Sequence, residues 1–298
     1  MLSYVDVNGT KLHVEITGPA DGEPIVFIPP PLLTLETFRY QKEGLSDRFR
    51  VITFDVRGHG ESDCTSQPLT YALIAQDITE LLDALGIEQA YLCGYSTGGS
   101  VVLEALLTYS SRFLGGIVVS GMSQLTDRYN RMRVQLALRL AKPSGWMKLL
   151  TGAITYGNSD KPATYQLLSR RASEDATANV RSYFEQSLLY NCTDRLSFIQ
   201  QPMLLIYGQE DPVFYQYGEL LNEKLPRSSL YYLKGAKHPI PLQSPDKMNE
   251  LIRLWIPSLA DQETARTKLD LAIAQQMNPA MYGEPAPPAE LSSLYAHE

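Results

Sequence analysis

The residues with the clearest chemical potential are Gly94-Tyr95-Ser96-Thr97-Gly98, which match the pattern G-x-S-x-G. That spacing suits a nucleophilic serine. A very tight turn forces the central residue into a strained conformation, and only small residues fit two positions to either side. The hydroxyl then projects beside the start of a helix, whose dipole favours the negative charge that develops in acyl transfer. Five residues alone also describe an ordinary small-residue turn, so the flanking segments matter. Ala90 to Cys93 read as a buried strand and Gly99 to Tyr109 as a helix, the order this chemistry needs.

A serine hydroxyl needs a base, and the base needs an acid to orient it. The histidines are His13, His59, His238 and His297. His13 falls in an N-terminal hairpin and His297 in the tail, so both are expected at the surface. His59 lies in the loop from Asp55 to Ser62, where a structural part suits it better. His238 follows the last strand, in Gly235-Ala236-Lys237-His238, at the carboxyl edge where ligands sit in open α/β sheets. Its alternative is a surface-loop histidine. Asp211, in Gly208-Gln209-Glu210-Asp211-Pro212, follows another strand and reaches the same edge. Its alternative is a turn-former before Pro212. Glu210 is the local competitor, expected to face solvent, and the segment after Ile117 to Ser120 offers no carboxylate before Asp127.

A sheet must carry these side chains. The first residues read as a hairpin, with Val5 and Val7 leading to Asn8-Gly9, a favoured pair for a tight type I′ turn, and then Leu12, Val14 and Ile16 in alternation. Ile25 to Ile28 and Val51 to Phe54 are short continuous apolar runs, as in strands covered on both faces by helices. Between them come helical periods: Ile74, Ile78, Leu81, Leu82 and Leu85 share one face, and Gly86 stops that helix. Ile117 to Val119, Met203 to Tyr207 and Leu230 to Leu233 read as further strands, and Asp246 to Trp255 as a helix. This alternation implies a mostly parallel, doubly wound sheet. From Met122 to about Phe198 the strand signal stops. Tyr129, Met132, Leu136 and Leu140 recur at helical spacing, as do Trp146 with Leu149 and Leu150, and Val180 with Phe184 and Leu188. Too small and too apolar on one face to stand alone, this segment is expected to pack over the sheet as a cap. Beyond Pro257 the sequence suggests one more helix, then a Pro-rich end from Pro279 to Pro288 that reads as a tail or an interface arm.

Composition narrows the classes. A chain of 298 residues can form a single α/β unit, and at that size roughly 75% of the unfolded surface is buried without help from disulfides or metal. Hydrophobic residues at 44% and charged residues at 20% exclude a disordered or fibrous chain. Lys plus Arg at 26 against Asp plus Glu at 33 give a net charge of −7. With no Lys/Arg cluster, that argues against binding nucleic acid or anionic membranes. Cys64, Cys93 and Cys192 form no spaced framework and join no histidine cluster, against a disulfide scaffold or a structural zinc site. Met1 to Asp6 carry no secretory pattern, and no apolar run reaches the roughly 18 residues of a membrane span. The expectation is a cytoplasmic protein acting on a small molecule.

Taken together, the Asp55 to Ser62 loop, the Gly94 to Gly99 turn, Gly208 to Val213 and Gly235 to His238 resemble the α/β-hydrolases of the capped esterase, lipase and carbon–carbon hydrolase kind, in the family's order over residues 1 to about 257. The resemblance implies an eight-stranded, mostly parallel sheet flanked by helices, with a helical cap inserted after the sixth strand. The core would be residues 1–121 and 199–257, the cap 122–198, and 258–298 a C-terminal helix and tail. It also implies Ser96, Asp211 and His238 as a triad, in that chain order, with no metal or organic cofactor. Two departures stand out. Pro29-Pro30-Pro31-Leu32-Leu33 occupies the place where such proteins carry His-Gly, and the next residue's N–H usually helps form the oxyanion hole. Pro31 falls at that donor position and has no N–H. The donor is therefore expected to shift to Leu32 or Leu33, opposite the N–H of Thr97. Tyr95 stands where a histidine often precedes the serine, either to satisfy a buried partner or to line the pocket. Tyr129, Trp146 and Phe184 either line that pocket or form the cap's own core. The activity implied is cleavage of a small to medium, largely apolar ester, thioester or lactone. The alternatives are acyl transfer, cleavage of a carbon–carbon bond beside a ketone, or a ligand-binding module with vestigial chemistry. A homodimer would form through the cap or the tail.

Overall fold

The computed structural model describes residues 2–142, 145–172 and 177–259; the expected helix past Pro257 and the Pro-rich end lie outside them from residue 260 on. Strands β1 (Leu2–Val7) and β2 (Thr10–Thr17) form the expected hairpin. Asn8 and Gly9 both take positive φ, 43° and 69°, as a type I′ turn requires. Strands β3 (Pro24–Ile28), β4 (Arg50–Phe54), β5 (Ala90–Tyr95), β6 (Phe113–Val119), β7 (Met203–Gly208) and β8 (Ser228–Leu233) complete one sheet in the order β1-β2-β4-β3-β5-β6-β7-β8. Pairing is antiparallel from β1 through β2 to β4 and parallel elsewhere.

Helices α1 (Arg39–Leu45), α2 (Tyr71–Ala84) and α3 (Thr97–Thr108) follow β3, β4 and β5. Between β6 and β7 the described residues form the inserted helices α4 (Arg128–Leu140), α5 (Gly145–Asn158), α6 (Pro162–Arg171) and α7 (Thr177–Leu189). Helix α8 (Tyr215–Lys224) joins β7 to β8, and α9 (Ile240–Gln243) and α10 (Pro245–Ser258) follow β8. The apolar runs are continuous because each strand feeds two cores. In β3, Val26 and Ile28 pack with residues of α2, α3 and α8, whereas Ile25 and Phe27 pack with residues of α1, α9 and α10. Alternate side chains of a strand face opposite ways, so both sets must be apolar.

Two expectations fail here. His13 is buried, not superficial: its side chain is 1% exposed and its Nδ1 lies 2.7 Å from Asp55 Oδ2. The cause is topological, since β2 sits between β1 and β4 and the Asp55–Ser62 loop ties to it through the bond from the His13 N–H to Ser62 Oγ. The second failure concerns the inserted helices. Tyr129 and Trp146 line no enclosed pocket; they are 56% and 57% exposed, beside exposed Met132, Leu136 and Leu149. Helical spacing identifies a face but not the direction it points, and α4 turns Asn130 and Ala137 inward instead. Phe184 does lie inside, in a cluster with Ala137, Ala141, Met147, Leu150, Val180 and Leu32. The insertion is tied to the rest of the molecule by apolar packing, with Tyr183 and Leu168 in the two core clusters, and by polar contacts: Asn179 to the Thr65 carbonyl, the Leu69 N–H to Ser182 Oγ, and Arg171 to Glu61. Among the described residues no helix is long and apolar enough to cross a membrane.

Candidate active site

Ser96 follows β5 directly and caps α3, with φ 54° and ψ −120°. Such a conformation costs about 1–3 kcal/mol and persists only where its surroundings impose it. They do so sterically. A Cβ at Gly94 would lie 2.1 Å from the Gly98 carbonyl oxygen, and one at Gly98 would lie 2.2 Å from that of Ile28. Neither position admits a side chain, which is the physical reason for the glycines at that spacing. The Ser96 N–H is held by the Val119 carbonyl at 2.8 Å, and Thr97 begins α3, where the N–H has no acceptor within the helix.

The loops after β7 and β8 bring the other two groups to Ser96. A Cβ on Gly208 would meet the Ala236 carbonyl oxygen at 2.4 Å, so these loops touch backbone to backbone. His238 Nδ1 lies 2.8 Å from Asp211 Oδ2, and Nε2 lies 3.2 Å from Ser96 Oγ. A carboxylate can only accept, so Nδ1 carries the proton and Nε2 offers its lone pair to the serine hydroxyl. The imidazole packs against the ring of Phe214, at 4.2 Å between centroids, and near that of Tyr95, at 5.4 Å. Its backbone carbonyl accepts from Ser120 Oγ at 3.2 Å and the Ile240 N–H at 2.8 Å. The His238 and Asp211 side chains are 24% and 14% exposed and Ser96 is half-buried, so the group is open to a solute. Neither competing carboxylate reaches the imidazole. Glu210 is exposed, and Asp127 is engaged by the N–H of Asn130 and the hydroxyl of Tyr217.

This order of strands, turn and loops has known relatives. A family model described as the alpha/beta hydrolase fold matches residues 23–245. The chain belongs to the α/β-hydrolase fold family. It is 26% identical over 263 residues to the 3-oxoadipate enol-lactonase 1 of Acinetobacter baylyi, covering 84% of this chain and 95% of the relative. It is also 26% identical over 261 residues to the carboxylesterase YbfK of Bacillus subtilis, covering 84% and 85%. Among solved structures, the esterase EaEST of Exiguobacterium antarcticum superposes with a TM-score of 0.75 at 25% identity, over 86% of this chain and all (100%) of that one.

The proline run of this α/β-hydrolase folds into a turn in which the Leu33 N–H donates to the Pro30 carbonyl at 3.2 Å. Pro31 and Leu32 are its central residues, and Leu32 has φ 63°, the left-handed region where a turn usually places glycine. For leucine that costs about 1–2 kcal/mol. The turn consumes the Leu33 N–H, whereas the Leu32 N–H has no backbone acceptor among the described residues. Of the four non-glycine residues with positive φ among the described residues, Leu32, Ser96 and Ser120 all follow the carboxyl ends of parallel strands, around the same site; Asn8 is the exception. The Tyr95 hydroxyl donates to Asn158 Oδ1 at 2.8 Å, and burial pushes its phenol far above the ordinary range, so it stays a donor. His59 is buried against the Arg57 carbonyl at 3.2 Å, and desolvation pushes it down to about 4, which keeps it neutral.

Sequence reasoning missed Phe214 and Tyr183. Phe214 stands three residues after Asp211, in the 3-10 turn Pro212–Phe214, and its proximity to the acid was the available signal. Tyr183 reaches the Pro29 carbonyl at 3.0 Å from 154 positions away, and nothing local marks it. Among the described residues no group of three or more His, Cys, Asp or Glu side chains converges as a metal site would.

Proposed function

We propose that this protein is a serine hydrolase cleaving a small to medium, largely apolar carboxylic ester, thioester or lactone through an acyl-enzyme. At the family level the lactonase and carboxylesterase relatives support ester or lactone hydrolysis. The observation that carries the reading is the unbroken chain Asp211–His238–Ser96, ending on a strained, accessible serine at a helix start.

In the first half-reaction His238 Nε2 takes the Ser96 proton as Oγ bonds to the carbonyl carbon. The oxyanion that forms is stabilised by the Thr97 N–H and the Leu32 N–H, and His238 then returns the proton to the departing alkoxide or thiolate. In the second half-reaction water repeats the attack on the acyl-enzyme and the acid leaves. Asp211 holds the tautomer and stabilises the imidazolium. The inserted helices serve as the cap over this edge, with Phe184 beneath it and Tyr95 as the pocket wall nearest the serine. Acyl transfer and carbon–carbon cleavage would use the same relay, and no observation favours them. Turnover of p-nitrophenyl esters of graded chain length by the parent and by Ser96→Ala tests the reading. The parent should prefer short to medium acyl chains, and the variant should lose turnover while keeping its fold. A Ser96→Ala protein that retains more than a few per cent of the rate would overturn the assignment.

A further inference from the structure

The proposed oxyanion donor Leu32 belongs to the sheet's loop, yet the groups around it come largely from the insertion. Its side chain is 2% exposed and packs among Ala137 and Ala141 near the end of α4, Met147 and Leu150 of α5, and Val180 and Phe184 of α7. Three residues earlier in the same loop, the Pro29 carbonyl accepts the hydroxyl of Tyr183, again from α7. The loop closes on itself through the Leu33 N–H to Pro30, and from the sheet side it is tied by the Leu35 N–H to Asp55 Oδ1 at 2.8 Å. A leucine left to itself returns to negative φ, which would rotate the peptide plane carrying its own N–H.

We infer that α7 is a positioning element of the oxyanion site: Tyr183 and Phe184, adjacent on that helix, hold the Pro29–Leu33 loop so that Leu32 stays left-handed and its N–H stays available. This rests on the reading of Ser96 as the acyl-accepting nucleophile. Neither side chain acts on the substrate. Tyr183 fixes the carbonyl at the head of the loop, and Phe184 closes the apolar socket that retains the Leu32 side chain. The seating of the insertion and the stabilisation of the transition state are then one event. The cap would contribute to kcat as well as to substrate retention.

The test compares Tyr183→Phe, Phe184→Leu and Ser96→Ala in steady-state hydrolysis of p-nitrophenyl butyrate, with phenylboronic acid as a probe of the tetrahedral state. Losing an oxyanion donor outright costs about 10²–10³ in kcat, so a loop that samples both conformations should lose about tenfold. Tyr183→Phe, which removes one oxygen, should lower kcat by about that factor, leave KM within about twofold, and weaken boronate inhibition in parallel. Glycine adopts positive φ freely, so Leu32→Gly added to Tyr183→Phe should recover kcat to within about threefold of the parent. A structural role alone would not produce that rescue. If Tyr183→Phe does not fold, Phe184→Leu carries the same comparison. An unchanged kcat, a rise in KM alone, or no rescue by Leu32→Gly overturns the inference. Activity surviving in Ser96→Ala would instead overturn the nucleophile assignment on which it rests.

Discussion

Among the described residues, two Asp–His pairs have nearly the same Nδ1–carboxylate distance. His13 Nδ1 sits 2.7 Å from Asp55 and His238 Nδ1 sits 2.8 Å from Asp211. Their surroundings differ. Both members of the first pair are 1% exposed, and Asp55 also accepts the N–H groups of Leu35 and Glu61, so it ties three segments of backbone together. Among the described residues His13 Nε2 has no hydrogen-bond partner, and a carboxylate oxygen of Glu61 lies 3.9 Å away. In the second pair Nε2 meets a strained serine hydroxyl and the side chains are open to solvent. An Asp–His contact therefore specifies no function by itself. A nucleophile on the far nitrogen and access for a substrate separate a relay from a clamp.

Removing the carboxylate should therefore have opposite consequences at the two sites. Asp211→Asn should lower kcat by about 10³–10⁴ with little change in stability, because the amide favours the wrong tautomer of His238. Asp55→Ala should keep kcat within about tenfold but destabilise the fold by about 3–5 kcal/mol, since it strands buried donors and one half of a buried pair. Urea unfolding beside kcat for each variant checks both, and a large loss of kcat with a stable fold in Asp55→Ala would break the comparison.

A third histidine sharpens the contrast through pH. Burial pushes His59 from 6.5 down to about 4. It is neutral in the folded protein at pH 5 but protonated in the unfolded chain, so unfolding takes up a proton between those values. The sign follows: stability is unaffected above about pH 6.5 and falls as pH drops through the window toward 4. Between pH 7 and 5 the loss attributable to His59 is about 2 kcal/mol. The unfolding midpoint of His59→Gln should fall less over that interval than the parent's, and equal slopes would show that His59 is not the group responsible.

The smallest effects should come from the exposed face of α4, whose direction the sequence left open. Met132→Gln and Leu136→Gln, at exposed positions of α4, should change stability by about 0.5 kcal/mol or less each. Phe184→Ala, inside the cluster that holds Leu32, should cost about 3–5 kcal/mol. Thermal unfolding of the three variants decides which face of the insertion is its core.

These cases also mark where the sequence is legible. The sheet could be read because strands buried on both faces have unbroken apolar runs, as at Ile25–Ile28 and Val51–Phe54. The serine turn could be read because sterics admit only small residues at Gly94 and Gly98. Asp211 and His238 followed from their place at the carboxyl ends of β7 and β8. The burial of His13 was hidden because it depends on a loop more than 40 positions away. The direction of the α4 face was hidden because spacing repeats identically for an inward or an outward stripe. The turn hydrogen bond that engages the Leu33 N–H, and so favours Leu32 as the proposed donor, is one that local sequence leaves open.

Of the two Asp–His pairs, only Asp211–His238 is proposed to activate a nucleophile, Ser96. A fluorophosphonate bonds covalently to a serine only when an adjacent base takes its proton, and intact mass with peptide mapping reports both stoichiometry and position. One adduct per chain is expected, on Ser96, formed at a similar rate in the parent and Asp55→Asn proteins and far more slowly in Asp211→Asn. An unlabelled protein, an adduct on another residue, or equal labelling in Asp211→Asn would contradict it.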